Sequence, residues 1–338
     1  MIDIKNTLKS LSDAVGIGSI NDAAKIAGEL LARHAEITQS DNSAIIGEIK
    51  GESDYTLMLE AHFDEIGFIV TDVDENGFIT VQNCGGFDLR TLPSRQVNIH
   101  GKEKVRGVFC STPPHLSEKD VTFESIADFK IDSCLGGKAK EIISVGDYVT
   151  YSTKADDLMG DRMCGKSFDD RAGVCVLLEL ASRFKDVTPP VNLVFCLANM
   201  EEIGHRGAKT ASFRVSPDEA IAIDVSFGDG PDISPDDCGK IGGGAMIGVA
   251  PIINRVISDK LIRLANELKL PYQVEVMSQH TGTDADVISI TKSGVKTGLL
   301  SIPLRNMHTD CEVISISDIK SVCDLLEAYI KDGAVNNG

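Results

Sequence analysis

The pattern of hydrophobic and polar positions changes character along the chain. In the first stretch, apolar positions at helical spacing are followed by short apolar runs, which predict a helix over 21–35 and strands over 44–49 and 56–61. Asn21 is a candidate N-cap of that helix. From residue 68 to about 152, short β-type runs follow one another, separated by turns such as Glu75-Asn76-Gly77. Long helical patterns are scarce there, so this stretch predicts a small β domain or barrel.

After Gly165, strand and helix patterns alternate along the chain. The predicted helices cover 171–185, 258–270 and 317–331, and the predicted strands cover 191–198, 220–225 and 297–302. Such alternation is typical of an α/β sheet with helices on both faces. Because α/β patterns flank the β stretch, we expect an insertion: one domain made of residues 1–67 plus 164–338, and an inserted β domain of residues 68–163.

Composition and charge exclude several classes of function. Lys and Arg total 33 and Asp and Glu total 51, which gives a net charge of −18 and disfavours binding to nucleic acid. Trp is absent and aromatic residues make up 5% of the chain, which argues against stacking platforms for bases or polysaccharides. No run of about 18 apolar residues predicts a membrane span. The N-terminal sequence lacks the pattern of a secretory signal. Nine cysteines without a Cys-x-x-Cys pair are typical of reduced thiols in the cytoplasm.

Two candidate sites lie at predicted strand or helix ends. His62 and Asp64 share one face of an extended segment, so the carboxylate of Asp64 could fix the second ring nitrogen of a metal-binding His62. Asp169 and Asp170 open a predicted helix, where adjacent acids also complement the helix dipole. One carboxylate of this pair could bridge two metal ions, and spacing leaves open which one.

Three further candidates follow predicted strands. Glu201 and Glu202 come directly after the apolar run 191–198, so that one could bind a metal while the other faces the reacting water. Asp224 ends another predicted strand, and His308 follows the strand over 297–302. His62, one acid of the 169–170 pair, Glu202, Asp224 and His308 together supply two imidazoles and three carboxylates. That set suits two divalent cations about 3.5–4 Å apart, with zinc, cobalt or manganese as the expected metals.

Taken together, these motifs resemble the M42 family of metallo-aminopeptidases, the glutamyl-aminopeptidase or TET-like enzymes. The resemblance spans nearly the whole chain, and the matching motifs are Ala61-His62-x-Asp64-Glu65-Ile66-Gly67, Phe168-Asp169-Asp170-Arg171-x-Gly173, Glu201-Glu202-x-Gly204-x-Arg206-Gly207, Ile223-Asp224, Gly282-Thr283-Asp284-Ala285 and Met307-His308-Thr309. One departure lies near the N-terminus, where the family often has Ser-Gly-x-Glu and this chain has Gly16-Ile17-Gly18-Ser19-Ile20-Asn21. That segment contains none of the candidate ligands.

The resemblance implies a role for each candidate residue. It makes Asp169 the bridging ligand, with His62 and Asp224 completing one metal site and Glu202 and His308 completing the other. It also implies that Glu201 is the general base and acid, and that Asp64 orients His62.

The resemblance further implies an α/β peptidase domain with an inserted PDZ-like β domain that dimerises, and dimers that build hollow tetrahedral dodecamers. The expected activity is removal of N-terminal residues from short peptides. We also expect pocket walls from residues 242–251 and 280–286.

Two other functions are considered. A cellulase-like glycoside hydrolase could use Glu201 with Asp64 or Asp224 as its carboxylate pair. That hypothesis leaves His62 and His308 without a task. A non-catalytic metal-binding assembly protein is the second alternative, and the presence of Glu201 counts against it.

Overall fold

The computed structural model describes residues 1–113, 115–116 and 125–334. Within them the α-helices are α1 (Ile4–Asp13), α2 (Asp22–Leu31), α3 (Ala139–Ile142), α4 (Phe168–Phe184), α5 (Arg206–Val215), α6 (Arg255–Leu268), α7 (Ala285–Ile288) and α8 (Ile316–Lys331). The strands are β1 (Gly16–Ile17), β2 (Ile20–Asn21), β3 (Glu36–Ser40), β4 (Ala44–Ile49), β5 (Thr56–His62), β6 (Gly67–Val73), β7 (Phe78–Cys84), β8 (Gln96–His100), β9 (Lys104–Phe109), β10 (Ile131–Asp132), β11 (Tyr148–Tyr151), β12 (Asp156–Asp157), β13 (Arg162–Gly165), β14 (Asn192–Ala198), β15 (Glu219–Phe227), β16 (Ala245–Val249), β17 (Tyr272–Val276), β18 (Lys296–Leu304) and β19 (Glu312–Ser315).

The largest sheet is mixed and has eight strands, in the order β17-β16-β18-β15-β5-β14-β4-β3. Strands β14 and β15 flank β5 and both run parallel to it, while β4 pairs antiparallel with β14. Ala198 at the end of β14 pairs with His62 at the end of β5. Because parallel strands end at the same edge of a sheet, the segments that follow β5, β14 and β15 meet there.

Both faces of this sheet are buried, because successive residues of its central strands pack into two different hydrophobic clusters. Leu59 and Phe195 belong to one hydrophobic cluster, which includes α1, α4 and α8, while Met58 and Cys196 belong to a second, which includes α5 and α7. Helix α4 is buried almost all round, as expected of a helix packed between the sheet and other helices. The predicted mixed α/β fold is confirmed.

A small closed barrel with its own core lies between β5 and α4 in the sequence. Its strand order is β10-β7-β6-β11-β8-β9. Phe68 is at the centre of the barrel core and makes edge-to-face contacts with Phe87, Phe109 and Tyr151. The barrel matches the expected β architecture. The PDZ-like classification, the dimerisation role and the boundaries 68–163 stay predictions, and residues 114 and 117–124 of that range lie outside the described residues.

Helix α2 is shorter than the sequence pattern predicts. It ends at Leu31, and residues 32–35 lead through a turn into β3. Asn21 stands at the N-cap position of α2, as predicted, but its side chain makes no capping hydrogen bond. Among the described residues, no helix is long and apolar enough to cross a membrane.

Candidate active site

His62 is the last residue of β5, and its ring is almost completely buried between carboxylates. Nδ1 lies 3.3 Å from Oδ1 of Asp64, and Nε2 lies 3.3 Å from Oδ1 of Asp169. This contact places the side chains of His62 and Asp64 on the same side of the chain, as the sequence predicted. Burial lowers the pKa of His62, but the adjacent carboxylates of Asp169 and Asp64 outweigh it and raise the pKa well above its ordinary value.

Asp169 lies between two histidines. Its Oδ1 faces Nε2 of His62 at 3.3 Å, and its Oδ2 faces Nε2 of His308 at 3.1 Å. Burial raises the pKa of Asp169, yet the two imidazoles hold that pKa below its usual range. A carboxylate with one oxygen directed at each of two histidines has the geometry required of a bridging ligand.

The neighbouring Asp170 points differently. Its Oδ1 accepts a hydrogen bond from the backbone N–H of Gly173 at 3.0 Å, while its buried Oδ2 has no hydrogen-bond partner. A side chain at position 173 would clash with Asp170, because a Cβ atom added to Gly173 would lie 2.4 Å from Oδ2 of Asp170. One ligand atom each of His62, Asp170 and Asp224 lie within 4.8 Å of one another, so Asp170 also borders the site.

The remaining predicted site residues converge on the same place. Nε2 of His308 lies 3.3 Å from Oε2 of Glu202, and Nε2 of His62 lies 3.9 Å from Oδ1 of Asp224 and 3.8 Å from Oε2 of Glu201. Asp169, Glu202 and His308 form one group with ligand atoms within 4.8 Å, and His62, Glu201 and Glu202 form another. All seven residues to which the family resemblance assigns a role therefore meet at the edge of the sheet.

The closely packed carboxylates of this cluster favour the binding of positively charged ions. Burial raises the pKa of Glu202, with Asp169 as the next cause, and burial and Asp170 raise the pKa of Asp224. The buried Oε1 of Glu202 has no hydrogen-bond partner. Packed carboxylates are stable as anions only when cations pair with them or are coordinated by them. Imidazole nitrogen and carboxylate oxygen donors fit zinc, cobalt or manganese ions.

Two buried acids hold the site residues in place through backbone hydrogen bonds. Glu312 accepts hydrogen bonds from the N–H groups of Phe168, Asp169 and His308, at 2.7, 3.3 and 3.0 Å. Asp64 accepts hydrogen bonds from the N–H groups of Glu201 and Glu202, at 3.1 and 3.3 Å. Glu312 was not predicted as a site residue, since the only feature that marks it in the sequence is its position four residues after His308.

A second buried network supports the start of α4. Glu65 pairs with Lys166 at 2.6 Å and with Arg171 at 3.2 Å, and it accepts hydrogen bonds from Ser167 Oγ and the N–H of Gly16. Glu65 and Arg171 stand in the motifs already quoted, but their pairing was not predicted. Gly16 lies in the segment that departs from the family pattern, so this departure lies beside the network.

A cavity of about 520 Å³ opens onto the cluster. Its lining includes Glu201, Glu202 and Asp224 from the cluster, and Met246 and the segment 281–283 from the two stretches expected to form pocket walls. The cavity is large enough for an amino-acid side chain next to the candidate metal ligands.

The family profile described as M42 glutamyl aminopeptidase matches residues 43–325. The chain belongs to the M42 family. A lysyl aminopeptidase from Pyrococcus furiosus is 30% identical over 302 residues, which cover 85% of this chain and 84% of that protein. The expected family is therefore confirmed, and the protein is an enzyme of the aminopeptidase class, a peptide hydrolase.

Solved structures give the same result. An aminopeptidase from Desulfurococcus kamchatkensis has a TM-score of 0.91 and 28% identity, with 99% of each chain covered. The TET1 peptidase of Pyrococcus horikoshii, described as able to assemble into a tetrahedron or a large octahedral shell, has a TM-score of 0.84 and 28% identity, covering 97% of this M42 chain and 99% of the other.

Proposed function

We propose that this M42 protein is a two-metal aminopeptidase that removes N-terminal residues from short peptides. The observation that carries the proposal is the position of Asp169, which directs one carboxylate oxygen to His62 and the other to His308. In a dinuclear centre, such a carboxylate would bridge two divalent cations. His62 and Asp224 would complete one site, and Glu202 and His308 would complete the other.

Each remaining residue of the cluster has a task in this proposal. When bound, the two divalent cations supply Lewis acidity, which polarises the scissile carbonyl and lowers the pKa of water. Glu201 accepts the proton of the attacking water at its carboxylate and delivers that proton to the leaving amine. Asp64 holds Nδ1 of His62 and thereby aims Nε2 at the metal site.

Restriction to N-termini follows from the acidic lining of the cavity. Besides the proposed ligands and base, Asp236 and Asp237 line it, and carboxylates there attract the free α-ammonium group of a peptide. An internal peptide bond has no such group, so it lacks this attraction. A glycosidase mechanism would use two carboxylates and leave both histidines without a role, so the contacts of His62 and His308 favour the peptidase.

We also propose the finer features implied by the family resemblance. The barrel is a PDZ-like dimerisation domain inserted at residues 68–163, and dimers assemble into tetrahedral dodecamers. The name of the Pyrococcus horikoshii relative supports this assembly. The protein works in the cytoplasm, which the nine unpaired cysteines support because reduced thiols are typical of that compartment.

The adjacent acids Glu201 and Glu202 provide a matched pair of variants for testing the mechanism. Glu201→Gln is expected to keep two ions per chain while kcat on an aminoacyl-nitroanilide falls at least about a hundredfold, the usual scale of general acid–base catalysis. Glu202→Gln is expected to lose one ion. A Glu201→Gln enzyme with near-normal kcat and unchanged metal content would refute the role of Glu201.

A further inference from the structure

The cavity beside the candidate metal ligands is lined by an acidic residue from the edge strand of the large sheet, Glu275 of β17. Oε1 of this residue accepts a hydrogen bond from Oγ of Ser226, and Oε2 accepts one from Oγ of Ser301 at 2.8 Å. Ser226 lies in β15 and Ser301 in β18. The two hydroxyl groups therefore fix the carboxylate of Glu275 against the central strands.

The carboxylate of Glu275 has no cationic partner among residues 1–113, 115–116 and 125–334. Its hydrogen-bond partners there are the two serine hydroxyls, and no Lys, Arg or His pairs with it. Burial raises the pKa of Glu275, while the hydroxyls lower it. A carboxylate that is partly removed from water is stabilised by an adjacent cation. The cavity therefore offers Glu275 to a cation that comes from outside the chain.

Both serines that hold Glu275 are neighbours of the candidate metal ligand Asp224. Ser226 follows Asp224 by two residues in β15, so their side chains share one face of the sheet and their Cα atoms are about 6.6 Å apart. Ser301 is the register partner of Asp224 in β18. The N-terminal residue of a peptide whose scissile carbonyl lies at the candidate metal ligands can therefore direct a long side chain at Glu275.

Apolar side chains line the same cavity, among them Met246, Val274 and Val276. The side chains of lysine and arginine combine an apolar stem with a cationic end, and they lay the stem along apolar surface while the charged end finds a polar partner. A carboxylate in a substrate pocket with apolar walls is the arrangement by which some peptidases select basic side chains.

We propose that Glu275 makes this chain selective for peptides whose N-terminal residue is lysine or arginine, by pairing with the cationic end of that side chain. This substrate class rests on the proposed aminopeptidase function. Peptides that begin with Asp or Glu are expected to be poor substrates, because they bring a further carboxylate to a cavity whose described lining contains Glu275 and no Lys or Arg.

The test compares two substrates that differ only in the charged end of the side chain, the nitroanilides of lysine and of norleucine. The full, metal-loaded chain is used, and kcat/KM is measured on each substrate. Wild type is expected to prefer the lysine substrate at least about tenfold, the scale of a hydrogen bond to a charged group. In Glu275→Gln the ratio of the two kcat/KM values is expected to fall at least about tenfold.

Two other variants control this test. Glu103→Gln removes an exposed carboxylate in the turn between β8 and β9, far along the chain from Glu275, and should keep the wild-type ratio. Glu275→Asp keeps the negative charge and should still prefer lysine to norleucine, which separates the loss of charge from a change in packing. The wild-type ratio needs no variant, so the test stays decisive if Glu275→Gln fails to fold.

Equal kcat/KM on the two substrates in wild type, or an unchanged ratio in folded Glu275→Gln, would overturn the proposal. A wild type that prefers glutamine nitroanilide to lysine nitroanilide would also overturn it, since that result indicates a neutral polar pocket. If the metal-loaded chain hydrolyses no nitroanilide, the proposed function fails. Calorimetric binding of lysine amide and norleucine amide to the same chain then decides whether Glu275 recognises a cation.

Discussion

Glu65 and Lys166 form an ion pair at 2.6 Å whose two side chains are 2% and 4% exposed. Arg171, also fully buried, faces the other oxygen of Glu65 and donates hydrogen bonds to the carbonyls of Leu11 and Ala14. This network joins the segment after β5 to the start of α4 and to the chain after α1. It therefore holds together the segments on which His62 and Asp169 stand.

Removing the charge of Glu65 should destabilise the fold. Glu65→Gln leaves Lys166 and Arg171 buried without a counter-charge, and we expect a loss of about 3–5 kcal/mol in the free energy of unfolding. The exposed Glu52→Gln is the control and should change it by less than about 0.5 kcal/mol. Urea unfolding of the three proteins measures both values, and equal stability of Glu65→Gln and wild type would contradict the account.

The same pair has a pH signature. Burial alone would raise the pKa of Glu65, but Lys166 and Arg171 lower it to about 2. A depressed folded pKa stabilises the protein fully above the unfolded pKa, about 4.3, and this contribution is lost as the pH falls towards 2. The stability difference between wild type and Glu65→Gln should therefore shrink by about 3 kcal/mol between pH 5 and pH 2. A difference independent of pH would exclude this ionic contribution.

Asp64 should affect catalysis more than metal content. Asp64→Asn weakens the hold on Nδ1 of His62 and on the backbone of Glu201 and Glu202, so we expect kcat/KM to fall roughly 10–100-fold with most metal retained. His62→Ala should lose one ion, since it removes a ligand. Metal stoichiometry and kcat/KM of both variants are the measurements. Wild-type kcat/KM in Asp64→Asn would remove Asp64 from the site.

The number of subunits in the assembled particle is a further property to test. We expect a particle of about twelve subunits when metal is bound and dimers when metal is depleted, as the resemblance implies for the inserted barrel. Multi-angle light scattering before and after chelation measures both states. Fully active, metal-loaded monomers would contradict the proposal.

Periodicity in the sequence predicted the central elements well. The predicted strand 44–49 coincides with β4, and the predicted last helix begins within one residue of α8. Buried strands with continuous apolar runs, such as β14, are clear in sequence because both of their faces pack in the core. The site residues could be placed together because they follow such strands.

The sequence pattern gave little indication of other elements and contacts. Helix α5 follows directly on the Glu201-Glu202 turn and carries a mainly polar sequence, and β17 is an edge strand with exposed Val274 and Val276. Glu312 accepts hydrogen bonds from Phe168 and Asp169, which are near it in space but distant in the sequence. A single sequence does not reveal that Glu312 accepts a hydrogen bond from the backbone of Asp169.

We propose that activity requires two divalent cations held by His62, Asp169, Glu202, Asp224 and His308. The most direct test is to remove metal with a chelator, return Zn²⁺, Co²⁺ or Mn²⁺ in steps, and measure bound metal and aminoacyl-nitroanilide hydrolysis in each sample. We predict an inactive metal-free chain whose full activity returns as the second ion per chain binds. An active preparation that contains no bound metal would contradict the claim.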